Sequence, residues 1–315
     1  DELLHEIENS ELDKNQNFKL LPSPAISFIW QPNSKHTIRG TFTSAIRNPT
    51  LLNQYMYYNV GRAKLVGNID GYDSLVTVES LRSFIYSQNP DSLNYFNLDP
   101  IQPEKVKSIE FGYRGTFFNK LYLDFNYYYN FYNDFIGYIT GVDVFVTQFN
   151  TAFINDVYRI ASNSKETITT QGASVGLNYY IGDFFALNGN YSWNVLNKKN
   201  ADPIIPAYNT PEYKYNIGLV GRDIHFNNKN SLLKNYGFSI NYKWVEGFQY
   251  EGSPQFTGFV PTYSLLDTQI SKAIPKLKST VKLGASNLLD NQHYEVYGGP
   301  YIGRMLYCSL LIELY

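Results

Sequence analysis

Apolar and polar residues alternate strictly along residues 121–131, which read LYLDFNYYYNF. Leu121, Leu123 and Phe125 fall on one side, whereas Asp124 and Asn126 fall on the other. A period of two residues predicts a β-strand with one apolar and one polar face. Strands of globular proteins cluster at about 5–6 residues, whereas a tilted strand that crosses a bilayer needs roughly 9–11. A soluble β-sandwich would also alternate, so this strand alone does not decide the class of protein.

The same alternation recurs along the chain and predicts eleven strands of 10–15 residues. No long segment has a helical period, so we expect little helix. The predicted strands span residues 23–32, 36–47, 105–117, 121–134, 167–181, 184–195, 213–222, 235–248, 262–273, 279–289 and 302–315.

Short and long connections alternate between these strands. In an antiparallel sheet, this order places the short connections at one end and the long ones at the other. The short ones are 33–35, 118–120, 182–183 and 274–278, with 223–234 as a longer exception; the long ones are 48–104, 135–166, 196–212, 249–261 and 290–301. Outer-membrane barrels have short periplasmic turns and long extracellular loops. The sequence therefore predicts an all-β fold, a transmembrane antiparallel β-barrel.

The polar face of the predicted wall carries charged residues, namely Arg39, Glu110, Arg114 and Asp124. An Arg or Lys at the lipid-facing midplane costs about 2–4 kcal/mol, so these side chains are expected to point into the barrel. There they would contact a plug or a substrate, or line a solvated wall; the sequence leaves both interpretations open. The aromatic residues, 17% of the chain, would face lipid, with tyrosines at the interfaces.

Composition excludes several function classes. The formal net charge of −2 offers no basic field for nucleic acid. Cys308 is the single cysteine, so neither an intrachain disulfide nor a cysteine-based metal site is predicted. The histidines lack metal-ligand spacing, and nucleophile-elbow and phosphate-loop motifs are absent from the sequence; the histidines are His5, His36, His225 and His293. We therefore predict no catalytic residue, no metal site and no cofactor.

Four segments resemble, in order, motifs of the TonB-dependent outer-membrane receptors of Gram-negative bacteria. They are SAIRNPTLLNQY (44–55), LDPIQPEKVKSIEFGYRG (98–115), YNTPEYKYNIGL (208–219), and YSLLDTQIS (263–271) with LGASNLLDNQHYEVYGGPYIGR (283–304). Each motif is weak alone, but the set lies in the family's order on the predicted strands. Arg47, Asn48 and Pro49 within the first motif are expected to shape the end of a strand, since Pro ends ladder pairing.

The resemblance implies a barrel of 22 strands around an N-terminal plug, located in the outer membrane and surrounded by its lipid. It also implies uptake of a scarce nutrient, driven by an inner-membrane TonB-type energy-coupling complex that pulls on an N-terminal box. Residues 1–315 would form the C-terminal barrel portion, with the plug and the remaining strands outside this chain. The odd number of predicted strands agrees with a portion of a barrel, because single-chain bacterial barrels use even numbers of strands.

The long loops hold the candidate ligand-binding residues, namely Tyr55, Tyr57, Tyr58 and Tyr250. Exposed rings can stack on sugars or cap an organic ligand at a barrel mouth. We favour the plainer interpretation that they form an interfacial girdle or pack between loops.

Residues 61–97 contain no cluster of Arg and Lys that would select a polyanion or an iron–carboxylate chelate. Their Tyr and Asn content is better suited to neutral ligands such as glycans or peptides, and a surface lipoprotein lid would fit the same loop. Loop 48–104 is therefore expected to carry the substrate contacts.

Two further questions stay open at the sequence level. Counting back from Tyr315 places four residues on the outward face, namely Glu313, Leu311, Ser309 and Tyr307. The residues between them are more apolar, namely Leu314, Ile312, Leu310 and Leu306. Either a bulge shifts the register or the last strand is misassigned. A passive porin or an adhesin would use the same strands without energy coupling, and a soluble all-β sugar-binding domain is a more distant alternative.

Overall fold

A computed structural model of the chain describes residues 22–61, 63–149, 151–197, 204, 208–225, 234–252 and 256–313. Within them, strands form an eleven-stranded sheet, a six-stranded sheet and a two-stranded ribbon. None of the described helices is long and apolar enough to cross a membrane.

The strands are numbered along the chain. They are β1 (Ala25–Asn33), β2 (His36–Arg47), β3 (Tyr57–Asn59), β4 (Lys64–Val66), β5 (Tyr72–Val76), β6 (Tyr95–Leu98), β7 (Glu104–Phe117), β8 (Leu121–Asn133), β9 (Ile136–Val146), β10 (Ala152–Asn163), β11 (Ile168–Ile181), β12 (Phe185–Asn197), β13 (Tyr213–Ile224), β14 (Tyr236–Val245), β15 (Phe248–Tyr250), β16 (Gly258–Val260), β17 (Tyr263–Ile274), β18 (Ser279–Ser286) and β19 (Met305–Ile312). The helices are α1 (Leu51–Tyr55) and α2 (Val78–Ser87), with 3-10 turns at Pro90–Ser92 and Pro275–Leu277.

The eleven-stranded sheet is the predicted barrel wall. Its order is β1-β2-β7-β8-β11-β12-β13-β14-β17-β18-β19, and every neighbouring pair is antiparallel. All eleven strands predicted from the alternation are present, with ends that differ by a few residues. The all-β fold, a portion of a transmembrane antiparallel β-barrel, is thus confirmed.

Cross-strand pairing places apolar and charged side chains in separate rows along the middle of this wall. Phe125 lies opposite Tyr113 and Val175, which places three apolar side chains in one row. The neighbouring row pairs Arg114 with Asp124. We call the two sides the apolar face and the interior face, because a membrane barrel turns its apolar side to lipid.

Glycine allows aromatic rings to lie flat on the interior face. A Cβ on Gly172 would come within 2.6 Å of the Tyr128 ring, and one on Gly284 within 2.3 Å of the Tyr307 ring. Each ring therefore covers the backbone of a neighbouring strand, which is the arrangement that pins strand register in designed barrels.

The six-stranded sheet corrects the sequence prediction for two connections. Residues 48–104 and 135–166 were expected to be loops, but they contain β3–β6, β9, β10 and both helices. The strand order is β3-β4-β10-β9-β5-β6, and β4 pairs with β10 in parallel. We call this unit the loop sheet. Connection 249–261 likewise contains β16 and the end of β15, which pair as the two-stranded ribbon.

The loop sheet has a hydrophobic core of its own. Val66, Leu75, Leu98, Ile139 and Ile160 form one buried cluster within it. A second cluster joins Leu81 and Phe84 of α2 to Val76 and Val142 of the sheet. The loops between barrel strands therefore fold as a compact unit with buried apolar residues.

Arg47 and Glu104 connect the wall to the loop sheet. The Arg47 guanidinium donates to both carboxylate oxygens of Glu104, at 3.2 and 2.6 Å. Glu104 is buried and also accepts a hydrogen bond from the backbone N–H of Ile136, the first residue of β9. The pair links the ends of β2 and β7 to the start of the β9–β10 hairpin, which agrees with the strand-shaping role expected of this segment.

The last strand pairs with β18 in a continuous register from Met305 to Ile312. The outward face obtained by counting back from Tyr315 is therefore wrong. Leu306 and Leu310 lie opposite Ala285 and Val281, in rows of the apolar face. Tyr307, Ser309 and Leu311 lie on the interior face together with Gly284 and Lys282; Leu314 and Tyr315 lie outside the described residues. The more apolar set therefore faces lipid, as the cost of burying polar groups there requires.

Candidate ligand-binding site

The C-terminal motif segments form one hydrogen-bonded corner beside the wall. Asp267 accepts from the Ser286 hydroxyl at 3.0 Å and from the Asn287 backbone N–H at 2.8 Å. Asn287 is buried and exchanges two hydrogen bonds with Asn291. Asp290 accepts from the backbone N–H of Arg304 at 2.8 Å. These motif residues therefore fix the long connection between β18 and β19.

The four candidate tyrosines lie in two separate units. Tyr55 ends α1, and Tyr57 and Tyr58 belong to β3, an edge strand of the loop sheet; these three are 61–69% exposed. Tyr250 lies in β15, part of the two-stranded ribbon, and is half-buried. The structure thus groups three of the tyrosines and places the fourth elsewhere.

Tyr57 has a local role that the sequence did not indicate. The Lys64 ammonium lies 5.9 Å from the centroids of both the Tyr57 and the Tyr158 rings. The same ammonium forms an ion pair of 2.7 Å with Asp156, to which the Tyr158 hydroxyl also donates. Hydrogen bonding between them lowers the pKa of Asp156 and raises the pKa of Lys64.

Three of the four charged candidates on the interior face lie close together. Arg39, Arg114 and Asp124 line one shallow cavity of about 240 Å³. Arg114 donates two hydrogen bonds to Asp124 at 2.8 and 3.1 Å, while Arg39 reaches the Asn126 amide oxygen at 3.5 Å. Glu110 is on the same face but belongs to the next row, opposite Thr41 and Tyr128. A role in substrate or plug contact stays a prediction.

A second cavity of about 430 Å³ lies at the loop end of the wall, between the end of β12, residues 208–212 and the start of β15. We call it the rim cavity. It is lined by aromatic, amide and carboxylate side chains, chiefly Asn194, Tyr208, Glu212, Glu246, Phe248 and Glu251. Sequence analysis selected none of these residues, because they come from the end of β12 and from two connections that only the fold brings together.

Tyrosine hydroxyls organise the floor of the rim cavity. Tyr128 donates to the Asn194 amide oxygen at 2.8 Å, and its hydroxyl lies 3.5 Å from that of Tyr208. Burial, and then the hydrogen bond with Tyr128, raise the pKa of Tyr208, so this hydroxyl stays protonated at neutral pH. The floor therefore presents neutral hydrogen-bonding groups.

Hydrogen bonds orient the carboxylates of Glu212 and Glu246 on the wall side of the rim cavity. Glu212 accepts from the Trp193 indole N–H at 3.3 Å, and Glu246 accepts from the Tyr213 backbone N–H at 3.2 Å. The backbone of Glu251 exchanges two hydrogen bonds with the Asn209 side chain, at 2.8 and 3.1 Å. The segment before β13 is thereby joined to the segment after β15.

Arg159 of the loop sheet lies behind Glu251. The residue is 5% exposed, and its Nη2 atom is 3.9 Å from the Glu251 carboxylate without a hydrogen-bond partner among the residues that the structure describes. Its guanidinium stacks against the Tyr138 ring at 5.1 Å. Burial lowers the pKa of Arg159, and the Glu251 carboxylate acts in the opposite direction. Buried donors without a hydrogen-bond partner are rare in proteins.

An eleven-stranded antiparallel wall with a lipid-facing apolar side and a polar interior defines an outer-membrane barrel protein. Residues 8–288 match the model of the family described as TonB dependent receptor-like, beta-barrel. The chain belongs to this family, and it is an outer-membrane protein of a Gram-negative bacterium. A comparison with curated protein sequences found no match.

Solved structures with the same fold include transporters and receptors. The copper transporter OprC is 14% identical with a TM-score of 0.61, and the match covers 92% of this chain and 39% of that one. The FrpB iron transporter from Neisseria meningitidis is 14% identical with a TM-score of 0.57, covering 91% and 38%. The siderophore receptor PirA from Acinetobacter baumannii is 15% identical with a TM-score of 0.56, covering 91% and 40%. This chain spans about two fifths of their length.

Proposed function

We propose that the protein takes up a scarce nutrient across the outer membrane by energy-coupled transport. Family membership over residues 8–288 is the observation that carries this proposal. Energy would come from an inner-membrane TonB-type complex that acts through a part of the protein outside this chain. The chain would contribute barrel wall, interior polar face and extracellular binding surface, and no catalytic step is assigned to it.

The nutrient we propose is an organic molecule rich in hydrogen-bonding groups, such as an oligosaccharide or a peptide. The solved relatives are a copper transporter, an iron transporter and a siderophore receptor, so a metal chelate is the competing substrate class. The loop sheet favours the organic class because it exposes aromatic rings, including Tyr55, Tyr57 and Tyr58, suited to stacking on sugars or peptides.

Within the barrel, Arg39, Glu110, Arg114 and Asp124 would contact the plug or the moving substrate. Their position on the interior face supports this role, although a solvated wall would use the same charges. The surface lipoprotein lid, like Tyr250 as a ligand-binding residue, stays a prediction from the sequence.

Uptake by intact cells tests the proposal. We expect cells that produce the full-length protein to accumulate fluorescent maltoheptaose or fluorescent pentapeptides. This uptake should stop when a protonophore is added or the TonB-type protein is deleted. Ferric citrate serves as the competing substrate. Uptake that continues without energy coupling would identify a passive porin, and surface attachment without uptake would identify an adhesin.

A further inference from the structure

The rim cavity is strongly unbalanced in charge. Glu212, Glu246 and Glu251 contribute three carboxylates to its lining, and the described lining contains neither Lys nor Arg. Among the described ion pairs, only the one with Arg159 involves a lining carboxylate, at 3.9 Å. The field inside the cavity therefore disfavours anions and favours a positively charged group.

Aromatic and amide groups complete a site suited to an amine. Tyr208 and Phe248 contribute to the lining of the cavity, and aromatic ring faces attract ammonium ions. The Asn194 amide and the Tyr208 hydroxyl add neutral hydrogen-bonding groups at the floor. An ammonium group has three donors and no acceptor, so carboxylates and carbonyl oxygens are its natural partners.

Arg159 is the cation that faces a lining carboxylate in the described ion pairs. Its Nη2 atom is buried, has no hydrogen-bond partner within the described part of the chain, and faces Glu251, whose carboxylate stands 3.9 Å away, beyond hydrogen-bond distance. A buried donor without a hydrogen bond is costly, so a small movement of Glu251 toward Arg159 would be favourable. When Glu251 turns toward the guanidinium, Glu212 and Glu246 remain as the carboxylate partners of an incoming ammonium.

We propose that the rim cavity binds the protonated amine of the transported nutrient and rejects anionic ligands, which deepens and rests on the transport proposed above. The substrate class is then an amine-bearing organic molecule, such as a lysine-containing peptide. Glu212 and Glu246 would hold the ammonium, the Tyr208 and Phe248 rings would cover its alkyl chain, and Glu251 would close against Arg159.

Binding by the full-length protein in detergent tests this proposal. The probe is a fluorescent pentapeptide with two lysines and a blocked N-terminus, followed by fluorescence anisotropy. The matched probe is the same peptide with both lysines acetylated, which removes the charges and keeps the length. We expect acetylation to weaken binding about tenfold and added salt to weaken only the lysine peptide.

Variants locate the effect in the cavity. The triple variant Glu212→Gln, Glu246→Gln, Glu251→Gln keeps oxygen acceptors and should lose about tenfold in affinity for the lysine peptide, without change for the acetylated one. Thr210→Lys introduces a cation into the lining and should have the same effect while improving binding of a glutamate-containing peptide. Glu79→Gln, on the exposed side of α2, is the control and should bind like the wild type.

Equal affinity for the two peptides, or a triple variant that retains the affinity of the wild type, would overturn the amine site. So would a lysine peptide that does not bind. Because binding in detergent needs no energy coupling, these results leave TonB-dependent uptake of another nutrient intact. Loss of energy-coupled uptake is a separate result and bears on the proposed function.

Discussion

The two large sheets of this protein use apolar side chains in opposite ways. On the barrel wall, Ile109, Ile217 and Leu283 are 52–54% exposed and lie on the apolar face, which is turned to lipid. In the loop sheet, Val76 and Ile160 are 0% exposed and pack against other strands and α2. The wall buries its apolar residues in lipid, whereas the loop sheet buries them in protein. Stability of the first therefore depends on the membrane, and stability of the second on its own core.

This difference accounts for the length of the longest wall strands. A wall strand must cross the bilayer, and β7, β8 and β11 have 13 or 14 residues. Loop-sheet strands have no such requirement: β3, β4 and β6 have only three or four residues, whereas β9 and β10 have 11 and 12. The wall is adapted to lipid and the loop sheet to a protein core, so substitutions should affect each sheet independently.

The largest expected effect is the loss of the wall after a charge is placed on its apolar face. Leu123→Arg or Leu177→Arg should block assembly, because a lipid-facing Arg near the midplane costs about 2–4 kcal/mol. Ser174→Arg lies on the interior face and should be tolerated. Heat-modified migration of the outer-membrane fraction on a gel measures assembly. Equal behaviour of the two sets would show that the faces are assigned wrongly.

The wall could be predicted because one physical rule governs all of it. Each strand must alternate and be long enough to cross, so Leu123 and Asp124 already define the two faces. The loop sheet obeys no such rule. Strands β3 to β6 give too few residues for a period, and the parallel pairing of β4 with β10 joins segments about ninety positions apart in sequence. The longer β9 and β10 lie in a connection predicted as loop, and burial of Ile139 and Ile160 depends on packing against other strands of the sheet.

A second prediction removes the core of the loop sheet while leaving the wall intact. Phe84→Ala should cost the loop sheet about 3–5 kcal/mol, because the ring is 2% exposed between α2 and the strands. Limited proteolysis of intact cells should then cut within residues 61–97, while heat-modified migration of the barrel stays normal. Tyr86→Ala, at 84% exposure on the same helix, is the matched control. Loss of the barrel itself would mean that the two sheets fold as one unit.

The candidate sites were less predictable than the fold. Exposed tyrosines of the loops could be found from composition, and the structure places three of them together. The rim cavity could not be found, because Asn194 lies in β12, Tyr208 in the connection after it and Phe248 in β15, and none is unusual alone. Arg159 gives no sequence signal either: its importance comes from burial, which depends on the loop sheet around it.

A third prediction concerns the junction between the sheets. Glu104→Ala removes a buried acceptor from Arg47 and from the Ile136 backbone N–H, at a cost of about 1–3 kcal/mol. Proteolysis between β8 and β9 should accelerate without unfolding either sheet, and Glu79→Ala should not change it. Hydrogen exchange of peptides spanning residues 130–140 provides the measurement. Unchanged exchange there would show that the ion pair is not what fixes the hairpin to the wall.

The smallest expected effect is a pH dependence confined to the loop sheet. Lys64 holds the pKa of Asp156 below its ordinary value of 3.8, so the ion pair stabilises the fold above that value. The stabilisation should be lost as pH falls below 3.8 through the lowered pKa, because protonated Asp156 no longer attracts the ammonium.

Hydrogen exchange in β4 and β10 should therefore rise from pH 5 to pH 3 in the wild type, after correction for the intrinsic exchange rate. Asp156→Asn should show the faster exchange at both pH values, and exchange in β7 and β8 should serve as the internal reference. A wild-type protein whose β4 exchange does not change over this range would show that the pair contributes nothing, as many exposed ion pairs do.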